Sequence, residues 1–232
     1  MDFNFLSEKV ATGENQTYLD WVLTGALTTV TVSGLAFMLA LALGVVIGSL
    51  RTTTGIKKKL ADTYFEVVRS VPFLAQVFIG YFVLPVILFP EAVKTMNPDH
   101  LIFTVGTLSL AIYMSSRIAA QVTAGIQALP RSQAAASKAL GFNQVQTYIR
   151  FLVPQALRNI APSLTSEAMN TVKNSAVIST IGLLDLTKQA QTIIDYTAKP
   201  YEAFLCILIG YLIINFSVKG LAYLIEKKTK LA

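Results

Sequence analysis

Apolar residues run along this chain in blocks much longer than the faces of soluble helices, and polar residues collect in the gaps. Five blocks reach the roughly 20 residues a helix needs to cross about 30 Å of hydrocarbon. They lie near 21–50, 64–89, 101–128, 161–184 and 203–225. The first runs from Trp21 to Leu50 without a charge. The pattern predicts an all-α integral membrane protein with five transmembrane helices. An external segment 1–20 precedes a transmembrane domain 21–225, and a tail 226–232 follows. Within the first block Gly44 and Gly48 form a small-xxx-small pair, which suits close helix packing rather than chemistry.

The gap from 132 to 162 has its own pattern. Ser132 to Leu140 is rich in Ala, Ser, Gln and Lys, a helix-forming mix, and Gly141 supplies the residue that ends it. Asn143 can cap a second helix, along which Val145, Tyr148, Ile149, Leu152, Val153, Ala156, Leu157 and Ile160 keep helical spacing. Pro154 should kink or restart it. The expectation is a helix–turn–helix loop, 129–160, leading back to the membrane. Periodicity alone allows this loop to lie on lipid or to dock a partner.

Charge then sets the orientation. Before the first block stand Lys9 and the acidic Asp2, Glu8, Glu14 and Asp20; after it come Arg51, Lys57, Lys58 and Lys59. Basic residues favour the cytoplasmic side, so the N-terminus is expected outside and the loop 129–160 and C-terminus inside. Arg131, Lys138, Arg150, Arg158, Lys227, Lys228 and Lys230 agree. The opening residues lack a basic stretch followed by a short apolar core, which predicts no cleaved signal peptide. Charged residues are 14% of the chain, against about 25% in soluble domains. The net charge of +6 sits beside apolar blocks, a topological pattern that excludes nucleic acid as a partner and makes the lipid bilayer the solvent. Cys206, the single cysteine, reads as a packing residue. His100 reads as a residue of the outer membrane edge. No metal-ligand spacing and no phosphate-binding G-x-x-x-x-G-K-[ST] occurs, so no catalytic residue, metal or bound cofactor is expected.

Polar groups inside the blocks carry the candidate chemistry. At about 100° per residue, Ser166, Glu167, Asn170, Lys173 and Asn174 share a wedge about 120° wide. In lipid such groups either neutralise one another, Glu167 against Lys173, or line a cavity. The second block adds Arg69, three residues before Pro72, and Gln76 on the same face. The third adds Arg117, which can anchor the inner edge or face the cavity. Guanidinium grips carboxylates with paired hydrogen bonds.

Several short motifs are shared with one family. Ala139-Leu140-Gly141, Gln146, Arg150 and Leu152-Val153-Pro154-Gln155-Ala156 resemble the cytoplasmic loop of ATP-binding-cassette importer permeases, nearest the polar amino-acid branch. Gly125-Ile-Gln-Ala-Leu-Pro130, Glu66-Val-Val-Arg69-Ser-Val-Pro72, Lys173-Asn-Ser175 and Ile181-Gly182 extend the resemblance over nearly all the chain after the first block. It implies an inner-membrane permease whose loop, at Lys138, Ala139, Leu140 and Gly141, couples to a separate ATPase. That subunit is present in two copies and binds the ATP. A second permease, identical or a sister, and an external substrate-binding protein complete the complex. The family's signature Glu falls at Ala135 and the Gly before its Gln at Ser132, so docking rests on shape, backbone and Lys138. An acidic–basic pair of the third span is replaced by Ala120 and Thr123.

The resemblance points to a polar amino acid as substrate. Arg69, Arg117 and Lys173 outnumber Glu167, with Glu66 nearer the cytoplasmic end, and that excess suits glutamate or aspartate. The expected site is Arg69, Gln76, Arg117, Glu167, Asn170, Lys173 and Asn174. Glutamine import, an ion-coupled carrier using Glu167, and a structural subunit without a path are the alternatives.

Overall fold

The computed structural model describes residues 3–10, 12 and 15–230. Asp2, Glu14 and the last two residues of the tail lie outside the described residues. The described chain is helical, and its only β-type pairing is an isolated bridge between Lys9 and Thr17.

Helix α1 (Tyr18–Arg51) opens with a capping box: Thr17 accepts a hydrogen bond from the Asp20 backbone N–H, and Asp20 accepts one from that of Thr17. Its buried stripe is small, Gly25, Thr29, Ser33, Ala36, Ala40, Gly44 and Gly48. Leu23, Leu27, Met38 and Val46 face outward. The small stripe lets α6 (Pro98–Gln127) approach closely. A Cβ on Gly44 would stand 2.7 Å from Ile118 Cβ, and one on Gly48 2.8 Å from the Ala119 carbonyl oxygen. Gly44 and Gly48 therefore serve helix packing. Around this pair a core forms from Val32, Val77, Leu110, Met114, Ile118 and Ile178. In lipid its cohesion comes from close packing more than from water exclusion.

The second block is broken. Helix α2 (Ile56–Ser70) and the run beginning with α3 (Phe73–Phe78) meet at a bend of 101°. Pro72 cannot donate to the Val68 carbonyl; the Gln76 side-chain amide donates there instead, at 2.8 Å, and to the Val71 carbonyl at 2.9 Å. After α3 comes a π turn, Ile79–Val83, then α4 (Leu84–Leu88) and α5 (Pro90–Thr95). The π turn ends two residues before Pro85, a spacing repeated before Pro154, where a widened turn accommodates the ring.

The polar loop forms α7 (Arg131–Ala139), α8 (Gln144–Thr147), a π turn Tyr148–Leu152, and α9 (Val153–Asn159). It returns into α10 (Ala161–Ser175), extended by a 3-10 turn Ala176–Ile181 that ends at Gly182 with φ +101°. The fourth block is thus a shorter, polar helix with a tight extension rather than one long apolar rod. Beyond it, α11 (Leu186–Thr197) fills the gap between the fourth and fifth blocks, and α12 (Pro200–Lys230) follows. By length and composition, three described helices can cross a membrane: Tyr18–Arg51, Pro98–Gln127 and Pro200–Lys227. The bent pair, counted as one span, brings the number to four.

Candidate functional site

The polar wedge of α10 turns its one carboxylate toward α6. Arg117 donates from Nε to Glu167 Oε2 at 2.7 Å and from Nη2 to Oε1 at 3.2 Å, a two-pronged pairing. The Glu167 side chain is 6% exposed and that of Arg117 41%. Asn170 Nδ2 reaches Glu167 Oε2 at 3.5 Å, and Asn174 Nδ2 donates to the Asn170 carbonyl at 2.8 Å. One turn before Arg117, Tyr113 stacks on Phe73 with centroids 4.7 Å apart, fastening α6 to α3 just past the bend.

Arg117, Glu167 and Asn170 are therefore brought together. Glu167 takes its cation from α6 and not from Lys173. Lys173 is exposed and, among the described residues, has no hydrogen bond or ion pair. Arg69 is also exposed, at the end of α2, with its guanidinium carbon 5.1 Å from the Phe65 ring centre and, among the described residues, no carboxylate partner. Arg51 lies over the same ring at 3.5 Å and binds Asp62 at 2.8 Å. Gln76 spends its amide N–H groups on the bend. Where the family's pair falls, Thr123 donates to the Ala119 carbonyl at 2.8 Å and reaches the Gly48 carbonyl at 3.2 Å.

A polar cluster around Asp185 escaped the sequence reading. Asp185 is fully buried; it caps α11 through the Lys188 N–H at 2.9 Å and meets the Tyr211 hydroxyl at 3.4 Å. Thr29 of α1 accepts from the Leu186 N–H at 3.1 Å. The available signal was an Asp before Leu186, Ala190 and Ile193 at helical spacing.

In the loop, α7 ends as its sequence dictates. The Gly141 N–H bonds the Lys138 carbonyl at 2.9 Å and the Phe142 N–H that of Ser137 at 3.2 Å, with Gly141 at φ +83°. Asn143 and Gln146 form a reciprocal capping box. Ser137 Oγ and Thr147 Oγ1, 2.9 Å apart, tie the two helices together. Lys138, Ala139, Leu140 and Gly141 are exposed at the turn, Leu140 by 73%. A Cβ on Gly141 would meet nothing within 4 Å, so a substitution there strains only the backbone. If the turn docks an ATPase, as the family resemblance implies, Gly141→Val is expected to lower co-recovery of that subunit about tenfold, since a β-branched residue at positive φ costs about 1–2 kcal/mol. Gly141→Asn, which tolerates that conformation, should stay near wild type. Co-purification and ATP-driven uptake read the effect, and wild-type behaviour of the valine variant contradicts a docking role.

Polar groups that satisfy one another inside an apolar bundle, beside the exposed Arg69 and Lys173, fit a membrane-embedded subunit. The chain belongs to the family described as binding-protein-dependent transport system inner membrane component, which matches residues 19–231. It is 38% identical over 223 residues to the glutamate/aspartate import permease protein GltJ of Escherichia coli strain K12, covering 94% of this chain and 90% of that one. It is 31% identical over 202 residues to the probable glutamine ABC transporter permease protein GlnM of Bacillus subtilis strain 168, covering 84% and 89%. Among solved structures, an amino acid ABC transporter with histidines superposes with a TM-score of 0.75 at 30% identity, over 91% of this chain and 95% of that one. The MetNI methionine ABC transporter, at 17% identity and a TM-score of 0.72 over 90% and 96%, shares the fold. The two sequence relatives are permeases by name, and the family is described as a component of the inner membrane.

Proposed function

We propose that this chain is the membrane-spanning subunit of an ATP-driven importer of glutamate and aspartate. Five spans, the bent pair and α10 with its extension included, carry the N-terminus outside and the loop 129–160 inside. An external binding protein delivers the amino acid. Two copies of an ATPase bind ATP and press on Lys138, Ala139, Leu140 and Gly141, and a second permease, identical or a sister, completes the path. The substrate passes through an alternating-access cavity lined by Arg69, Arg117, Glu167, Asn170, Lys173 and Asn174, with Gln76 holding the bend that presents Arg69.

One observation supports the acidic substrate most strongly. Glu167 is already neutralised by Arg117, so Lys173 and Arg69 remain as uncompensated cations. A zwitterion with a second carboxylate supplies what they lack, and the 38% identical relative is named for glutamate and aspartate. Glutamine is the second reading, favoured by the relative named for it. An ion-coupled carrier working through Glu167 is disfavoured, because its carboxylate is held by a guanidinium.

Arg69→Gln tests this reading. Loss of a charge-assisted contact is expected to reduce glutamate uptake about tenfold to a hundredfold, with folded protein recovered near wild-type yield. Unchanged apparent affinity and rate in proteoliposomes would make Arg69 an anchor only.

A further inference from the structure

The end of α1 and the helix after Gly141 meet where Thr52 Oγ1 and the Tyr148 hydroxyl stand 2.9 Å apart, but they do not close along their length. A cleft of about 450 Å³ lies between them. Val45, Val46 and Leu50 of α1 form one wall; Val145, Ile149 and Val153 form the other. The second wall is a stripe repeating every four residues, and Val145 and Ile149 are 61% and 66% exposed. The rest of that helix is committed elsewhere: Thr147 is bonded to Ser137, and Leu152 and Ala156 are buried. At the mouth stands exposed Lys57, followed by Lys58 and Lys59. Gly55, the residue before α2, provides no side-chain cap, so the first N–H groups of α2 have no side-chain acceptor from the cap position.

An apolar interior with a cationic mouth at the membrane edge matches the profile of one class of molecule. We propose that the cleft seats an anionic phospholipid of the cytoplasmic leaflet, with an acyl segment between the two valine-rich walls and the headgroup phosphate at Lys57. The loop helices then rest on lipid along one face while Leu140 and Gly141, which do not line the cleft, stay available at the turn. Basic residues at this depth gain from anionic headgroups, and an uncovered apolar stripe of this kind calls for a cover. The proposal rests on the orientation given above, with the loop on the cytoplasmic side.

The test is lipid retention by the purified complex, read by native mass spectrometry with phosphatidylglycerol or phosphatidylcholine of identical acyl chains. Wild type should hold phosphatidylglycerol in preference, and Lys57→Gln should reduce that preference about fivefold. Lys58→Gln, about 100° further round α2, should leave it nearly intact. Val145→Trp, which fills the cleft, should lower retention of both lipids. A phosphatidylglycerol with a photoreactive acyl chain should label residues 45–50 and 144–153. Equal retention of the two lipids by wild type, or equal damage from Lys57→Gln and Lys58→Gln, overturns the proposal. Capture of the ATPase rather than lipid by photoreactive groups at positions 145 and 149 does the same. Retention is measured without transport, so failure of the glutamate reading would leave these results unchanged.

Discussion

Arg117→Met should remove most of the folded protein, and adding Glu167→Gln in the same chain should bring it back. Glu167 is 6% exposed and has one cationic partner. Removing that partner leaves a buried carboxylate uncompensated, which costs about 3–5 kcal/mol, whereas replacing both members by neutral groups is often close to neutral. Arg117 is 41% exposed, so its own charge is partly solvated and the loss falls toward the lower end, about 3 kcal/mol. Glu167→Gln alone should be milder, because the freed guanidinium is already 41% exposed and can turn to its open side. Monodisperse yield and thermal unfolding in detergent measure all three variants. A robust Arg117→Met chain, or a double variant as poor as the single one, would show that the pair does not hold α6 to α10.

Much of the architecture was legible because it depends on local or one-dimensional patterns. The charge-free block after Trp21 and those near 101–128 and 203–225 correspond to the helices Tyr18–Arg51, Pro98–Gln127 and Pro200–Lys230. The end of α7 at Gly141 and the capping by Asn143 were readable for a similar reason: positive φ and side-chain caps are decided within a few residues. A proline at position 72 removes one backbone donor, but the 101° bend is not readable from it, since the bend depends on which residue replaces the missing donor. Gln76 does so from the following turn. The partner of Glu167 was not legible, because Lys173 shares its helix face while Arg117 stands 50 residues away and meets it only through packing. Helix α11 lies in the gap between the fourth and fifth blocks and is too short and polar to register as a span, although its buried Leu186, Ala190 and Ile193 keep helical spacing.

Substrate preference after Lys173→Met tests most directly whether the uncompensated cations proposed to face the substrate select acidic amino acids. Because Arg117 holds Glu167, removing Lys173 orphans no carboxylate, and the single variant can be read without a compensating change. Glutamine shares the α-groups and nearly the shape of glutamate, so the comparison isolates the second carboxylate. Uptake by proteoliposomes containing the complete complex should be followed with glutamate, aspartate and glutamine in competition. Losing a charge-assisted contact costs about 1.5–3 kcal/mol, so apparent affinity for both acidic substrates should fall roughly tenfold to a hundredfold. Glutamine transport should change far less. An equal loss for glutamate and glutamine would place Lys173 on the shared α-carboxylate or in the bundle, and would contradict selection by charge.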